Sequence, residues 1–75
     1  MNMDARNFRV FVEPLVPELG GGFVAYAPDL QGCVSDGETP DEALHNIYDA
    51  IESWLDAAIE RGDAIPHAGS TRKFA

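Results

Sequence analysis

Glu13, Asp29 and Asp36 come nearest to reaction chemistry in this 75-residue chain. They fall at strand ends and turns, where scaffolds usually carry catalytic groups. Acidic side chains converging on a divalent ion are what metal-assisted phosphodiester hydrolysis requires. A nuclease of that kind needs several of them brought together, and Asp29 is accounted for equally well by a turn. Nucleophilic chemistry has weaker support. Ser35 and Ser53 have no histidine at a recognisable spacing, and neither sits in a nucleophile-elbow sequence. His45 falls on the polar side of a helix and His67 in a loose tail, both ordinary surface positions. Cys33 is the single cysteine, lies in a short strand, and reads as a buried, inert thiol. One cysteine and two distant histidines supply neither a disulfide nor a usual zinc site. Gly20-Gly21-Gly22 precedes a strand rather than a helix, so it lacks the architecture of a phosphate loop. The sequence predicts no catalytic residues, no metal and no cofactor.

The elements that position these residues are read from periodicity. Phe8, Val10 and Val12 alternate with Arg9 and Phe11, predicting a first strand over Phe8 to Val12, with pairing ended by Pro14 and Pro17. Phe11 on its mixed face suggests cover by a second subunit. Glu18 to Gly22 reads as a flexible hairpin loop. A second strand is predicted over Phe23 to Ala27. The turn Pro28-Asp29-Leu30-Gln31-Gly32 follows, with Pro28 presetting a dihedral, Asp29 able to bond the backbone ahead and Gly32 able to adopt a positive φ. A third short strand, Cys33 to Asp36, closes at Gly37. Three strands on tight connections predict an antiparallel meander.

Thr39-Pro40-Asp41-Glu42 marks a helix start: an N-cap threonine, proline at the first helical position and a capping-box glutamate. Leu44, Ile47, Ile51, Leu55 and Ala58 recur at helical spacing, flanked by Tyr48, Trp54 and Ile59. Gly62 after Arg61 is a C-terminal stop. The predicted helix is Pro40 to Arg61. The fold class is therefore α+β, a three-stranded antiparallel meander followed by one long amphipathic helix, in a single domain over 1–75. Its core spans about 8–66, and 67–75 form a loose tail or a short last strand at 71–74.

Thirteen acidic residues against five basic ones give a net charge of −8. That balance opposes phosphate-backbone binding, which depends on Lys and Arg, and opposes an anionic membrane surface. No apolar run approaches the roughly 20 residues of a spanning helix, and the first residues lack a signal-peptide core. The expectation is a soluble, intracellular, cytoplasmic domain. On the helix, Glu42, Asn46, Asp49, Ser53, Asp56 and Glu60 form a polar stripe with His45 and Glu52 beside it, and no Lys or Arg lies between Pro40 and Glu60. Glu52 and Asp56, and Asp56 and Glu60, are like-charged i,i+4 pairs, each unfavourable by a few tenths of a kcal/mol. Two readings fit: a solvated face that keeps a small protein soluble, or an acidic surface that meets a basic protein.

The run Gly21-Gly22-Phe23 through Pro28-Asp29-Leu30-Gln31-Gly32-Cys33 to Gly37-Glu38-Thr39-Pro40-Asp41-Glu42-Ala43-Leu44 closely resembles the N-terminal domain of the HicB antitoxin family. That pattern reads G-G-aromatic, a small-residue strand, P-D-L-x-G-C, a short strand, G-x-T-x-x-E-A and an amphipathic helix. The likeness extends through Trp54-Leu55 to Ile65-Pro66. Pro28, Asp29, Gly32, Cys33, Gly37, Thr39 and Glu42 are its motif positions here. The resemblance implies a partial RNase-H-like fold, and a protein that sequesters a small, basic, mRNA-cleaving toxin of the HicA type by covering its active surface. Many members add a C-terminal helix-turn-helix or ribbon-helix-helix module that binds an operator. Nothing after Ile65 reads as one, so no direct DNA or RNA binding is expected, and the chain resembles the short, solitary form. From charge, Asp49, Glu52, Asp56 and Glu60 are the expected toxin contact.

A chain this short buries only about 60% of its unfolded surface. Without a disulfide or zinc, a homodimer or larger assembly is expected, with Phe11 and Trp54 as contacts. The alternatives are a stand-alone oligomeric domain with a structural or small-ligand role, and a metal-dependent RNase-H-like nuclease using Glu13, Asp29 and Asp36.

Overall fold

The computed structural model describes residues 4–66. Strands β1 (Phe11–Pro14), β2 (Phe23–Tyr26) and β3 (Val34–Gly37) form an antiparallel sheet in the order β1-β2-β3, followed by helix α1 (Pro40–Arg61). This is the expected α+β meander and helix. The suggested last strand at 71–74 lies outside the described residues.

The first strand starts later than the alternation predicted. Asp4 accepts the Arg6 N–H at 2.9 Å and caps a 3-10 turn over Ala5–Asn7. That turn delivers Ala5 and Phe8 to the core before pairing begins. Nor does Pro14 end the ladder, since it sits opposite Phe23 and the next residue, Leu15, donates its N–H to the Gly22 carbonyl at 2.9 Å. Antiparallel pairs alternate between hydrogen-bonded and non-bonded positions, so the nitrogen of Pro14 faces outward from the sheet. A proline is tolerated in an edge strand for that reason. The expected loop after it contains a 3-10 turn, Pro17–Leu19. The second strand ends one residue early and the third runs one residue later than predicted, although the Ala27 N–H still reaches the Cys33 carbonyl at 3.1 Å.

Register places two rows on the helix side, Val12-Ala25-Ser35 and Pro14-Phe23-Gly37. Leu30, Ile47 and Ile51 are the largest fully buried side chains, packed with Ala25, Ala27, Ala43 and Leu55. Burying each of the three is worth about 1.5–3 kcal/mol. The alanines let α1 lie close over β3 and β2, and Gly37 marks the closest approach. A Cβ added there would stand 2.5 Å from the Ala43 nitrogen and 2.8 Å from the Glu42 carbonyl carbon. Ile59, read with the apolar face, is 56% exposed instead.

Both helix ends follow the sequence signals. The Thr39 hydroxyl accepts the Glu42 N–H at 3.1 Å, while the Glu42 carboxylate takes the N–H of Glu38, one residue before the cap. At the other end Gly62, at φ +74°, donates to the Ile59 carbonyl and Asp63 to that of Ala58, a Schellman closure.

Candidate partner-binding surface

The outer side of α1 carries the acidic stripe. Asp49, Glu52, Asp56 and Glu60 are all exposed. Among the described residues no Lys or Arg forms an ion pair with any of them; Asp49 meets only His45, at 3.4 Å and in the open. Arg61, the basic residue of the last helical turn, is held by Asp63 at 2.7 Å. Two of the stripe's other polar members serve the fold. Glu42 caps the helix, and Asn46 donates to the Asp36 carbonyl at 2.8 Å. Asp36, Glu38, Glu42 and Asn46 also line an open cleft of about 430 Å³ beside the Gly20-Gly21-Gly22 loop.

Glu13, Asp29 and Asp36 do not converge. Glu13 and Asp36 both pair across to Val24, which sets them two strand spacings apart, about 10 Å. Asp29 is directed elsewhere. Its side chain is 4% exposed and meets the Arg9 guanidinium at 3.6 Å, leaving Oδ2 and the Arg9 Nε buried without hydrogen-bond partners. The turn is instead closed by backbone bonds, Leu30 N–H to Ala27 and Cys33 N–H to Leu30, both 3.0 Å. Among the described residues no group of three His, Cys, Asp or Glu side chains could hold a metal ion. Cys33 is buried, and desolvation pushes its thiol above the usual 9.0.

Phe11 and Trp54 do not share a surface. Trp54 packs against the core and donates its indole N–H to the Gln31 carbonyl at 2.9 Å. Phe11 lies on the side of the sheet away from the helix, stacked on Tyr26 with ring centroids 5.5 Å apart. Register puts Val24, Tyr26 and Val34 on that same side, and Leu15 continues the β1 parity. The alternation of Val24 and Tyr26 against Ala25 carried this signal in the sequence.

The meander and its capped helix are joined through P-D-L-Q-G-C and G-E-T-P-D-E-A, and these stretches fall inside the region that comparison with known proteins matches. A family model described as HicB-like antitoxin of bacterial toxin-antitoxin system matches residues 8–75. The chain belongs to this family. Its curated relatives include a UPF0150 protein of Synechocystis sp., 40% identical over 60 residues covering 80% of this chain and 72% of the relative. A UPF0150 protein of Helicobacter pylori is 39% identical over 46 residues, 61% of this chain and 64% of that one. Another, from Thermoplasma acidophilum, is 37% identical over 46 residues, 61% and 67% of the two chains. No solved structure matches. Among the described residues of this HicB-like chain, no helix is long and apolar enough to cross a membrane.

Proposed function

We propose that this chain is a non-enzymatic antitoxin that binds a small basic toxin of the HicA type and covers its RNA-cleaving surface. The observation that carries the reading is the row Asp49, Glu52, Asp56 and Glu60, exposed and, among the described residues, without a Lys or Arg partner. A helix serving stability alone gains from lysines at such positions. Carboxylates facing solvent over three helical turns instead suit a partner that brings the cations, and steer it into place. The antitoxin itself supplies no reacting group. It acts by occlusion, requires no cofactor and needs no contact with nucleic acid.

The test is calorimetric titration of a purified HicA-type toxin into the chain, paired with an RNA-cleavage assay. Binding that weakens with salt, inhibition of cleavage, and at least a tenfold loss of affinity in Asp49→Lys/Asp56→Lys are the expected results, tenfold being about 1.4 kcal/mol. Unchanged affinity in the double variant would move the contact off the helix. Toxin that neither binds nor loses activity overturns the antitoxin mechanism.

A further inference from the structure

The connection between β1 and β2 is longer than a hairpin requires. Tight hairpins close on about two to five residues, whereas this connection runs from Leu15 to Gly22. Its tip carries Val16 and Leu19, 53% and 70% exposed, and Leu19 is the most exposed large apolar side chain among the described residues. Neither belongs to the core cluster. The tip is nevertheless held in one shape. The Val16 carbonyl accepts the N–H of Leu19 at 2.9 Å and that of Gly21 at 3.2 Å, while Gly20 donates to the Pro17 carbonyl at 3.0 Å. Pro17 opens the 3-10 turn between them and fixes its own φ. A slack loop turns such side chains inward. This one keeps them presented, so little conformational freedom is lost when a partner covers them.

We propose that the tip is an apolar anchor for the basic toxin, with Leu19 and Val16 entering an apolar pocket on that protein ringed by lysines or arginines. The inference rests on the antitoxin reading and adds a second contact to it.

Charge chooses this occupant. The loop itself has Glu18 and no Lys or Arg, and the cleft at its foot is walled by Asp36, Glu38 and Glu42. A pocket closing over Leu19 brings its rim against those carboxylates. A basic rim is attracted there, and an acidic one, that of another copy of this chain included, is repelled. The cleft also joins the tip to α1. Glu42 lies two turns before Asp49 on the helix, about 10 Å along its axis, so the tip and the start of the acidic row fall within the span of one small protein.

The two contacts act on different rates. Exposed carboxylates steer the encounter, whereas loss of a desolvated apolar anchor is felt in dissociation. The experiment is stopped-flow association and dissociation of a purified HicA-type toxin with the wild-type chain, Val16→Ser/Leu19→Ser and Asp49→Lys/Asp56→Lys, at low and physiological salt. The tip variant should dissociate roughly tenfold faster or more, with its association rate within about twofold of wild type and its salt dependence kept. The helix variant should instead associate more slowly and lose salt dependence. Both tip side chains are exposed in the free chain, so the urea midpoint of the tip variant should match wild type. A ¹⁵N titration of the wild-type chain with unlabelled toxin needs no substitution, and Val16, Leu19 and Gly21 should be among the amides that shift most. A dissociation rate unchanged in the tip variant, or tip amides unmoved at saturating toxin, overturns the anchor and leaves the antitoxin reading standing. Toxin that does not bind the wild-type chain at all fails that reading, and the anchor with it.

Discussion

Among the described residues, Arg9 is the sole cation set against a carboxylate that is almost wholly removed from water, and it is itself only partly covered. Removing it strands Asp29, one of whose oxygens already lacks a hydrogen-bond partner. Arg9→Met should therefore destabilise the chain by about 1–3 kcal/mol, the range for a buried acceptor left unsatisfied. Adding Asp29→Asn should return part of that loss, because an amide costs less to bury than an unpaired carboxylate. Urea melts of the two variants decide it; equal midpoints would mean the pair contributes nothing. Elsewhere on the sheet, the Tyr26 hydroxyl donates to Glu13, and that hydrogen bond, with burial and the nearby negative charge, raises the phenol above its usual 10.0. A raised folded value means the contribution is complete below 10.0 and is lost as pH climbs through the folded value. Ultraviolet titration should show one tyrosine ionising late, and Glu13→Gln should bring it down.

Helix α1 was legible almost to the residue, because its two stop signals and its apolar spacing are local properties of the chain. Strand β1 was less so. Pro14 reads as a ladder stop until the register shows that its nitrogen faces outward, and register depends on the partner strand. Asp29 was misread for a related reason. Its turn chemistry is visible locally, whereas Arg9 lies twenty positions earlier and meets it only in the fold. Gly37 looked like the end of a strand, but the fold makes it the contact point of β3 with the first turn of α1. These two readings of the helix start differ in magnitude. Thr39→Ala removes one cap bond and should cost about 1 kcal/mol. Gly37→Ala pushes a methyl into backbone and should cost about 1–3 kcal/mol by overpacking. Thermal melts in which Gly37→Ala is the milder change would show that the strand and helix separate easily.

Across the whole molecule, the uneven distribution of charge bears on what selection has kept. Asp56 lies between Glu52 and Glu60 on α1, one turn from each, and all three are exposed. Lysine at 56 would replace two repulsive i,i+4 pairs with attractive ones and set a cation in the C-terminal half of the helix. The free chain should gain about 0.5–1 kcal/mol from Asp56→Lys, read as a higher urea midpoint. Toxin affinity should fall in the same variant. The two measurements together distinguish the readings of the stripe. A face kept only for solubility predicts the gain in stability with no loss of binding, since a chain at −6 is still well away from neutrality. A face kept for a cationic partner predicts that stability and affinity move in opposite directions, the compromise expected where a surface serves a ligand at the expense of the fold. Salt separates them again: added ions should relieve the repulsion within the free chain and weaken the complex.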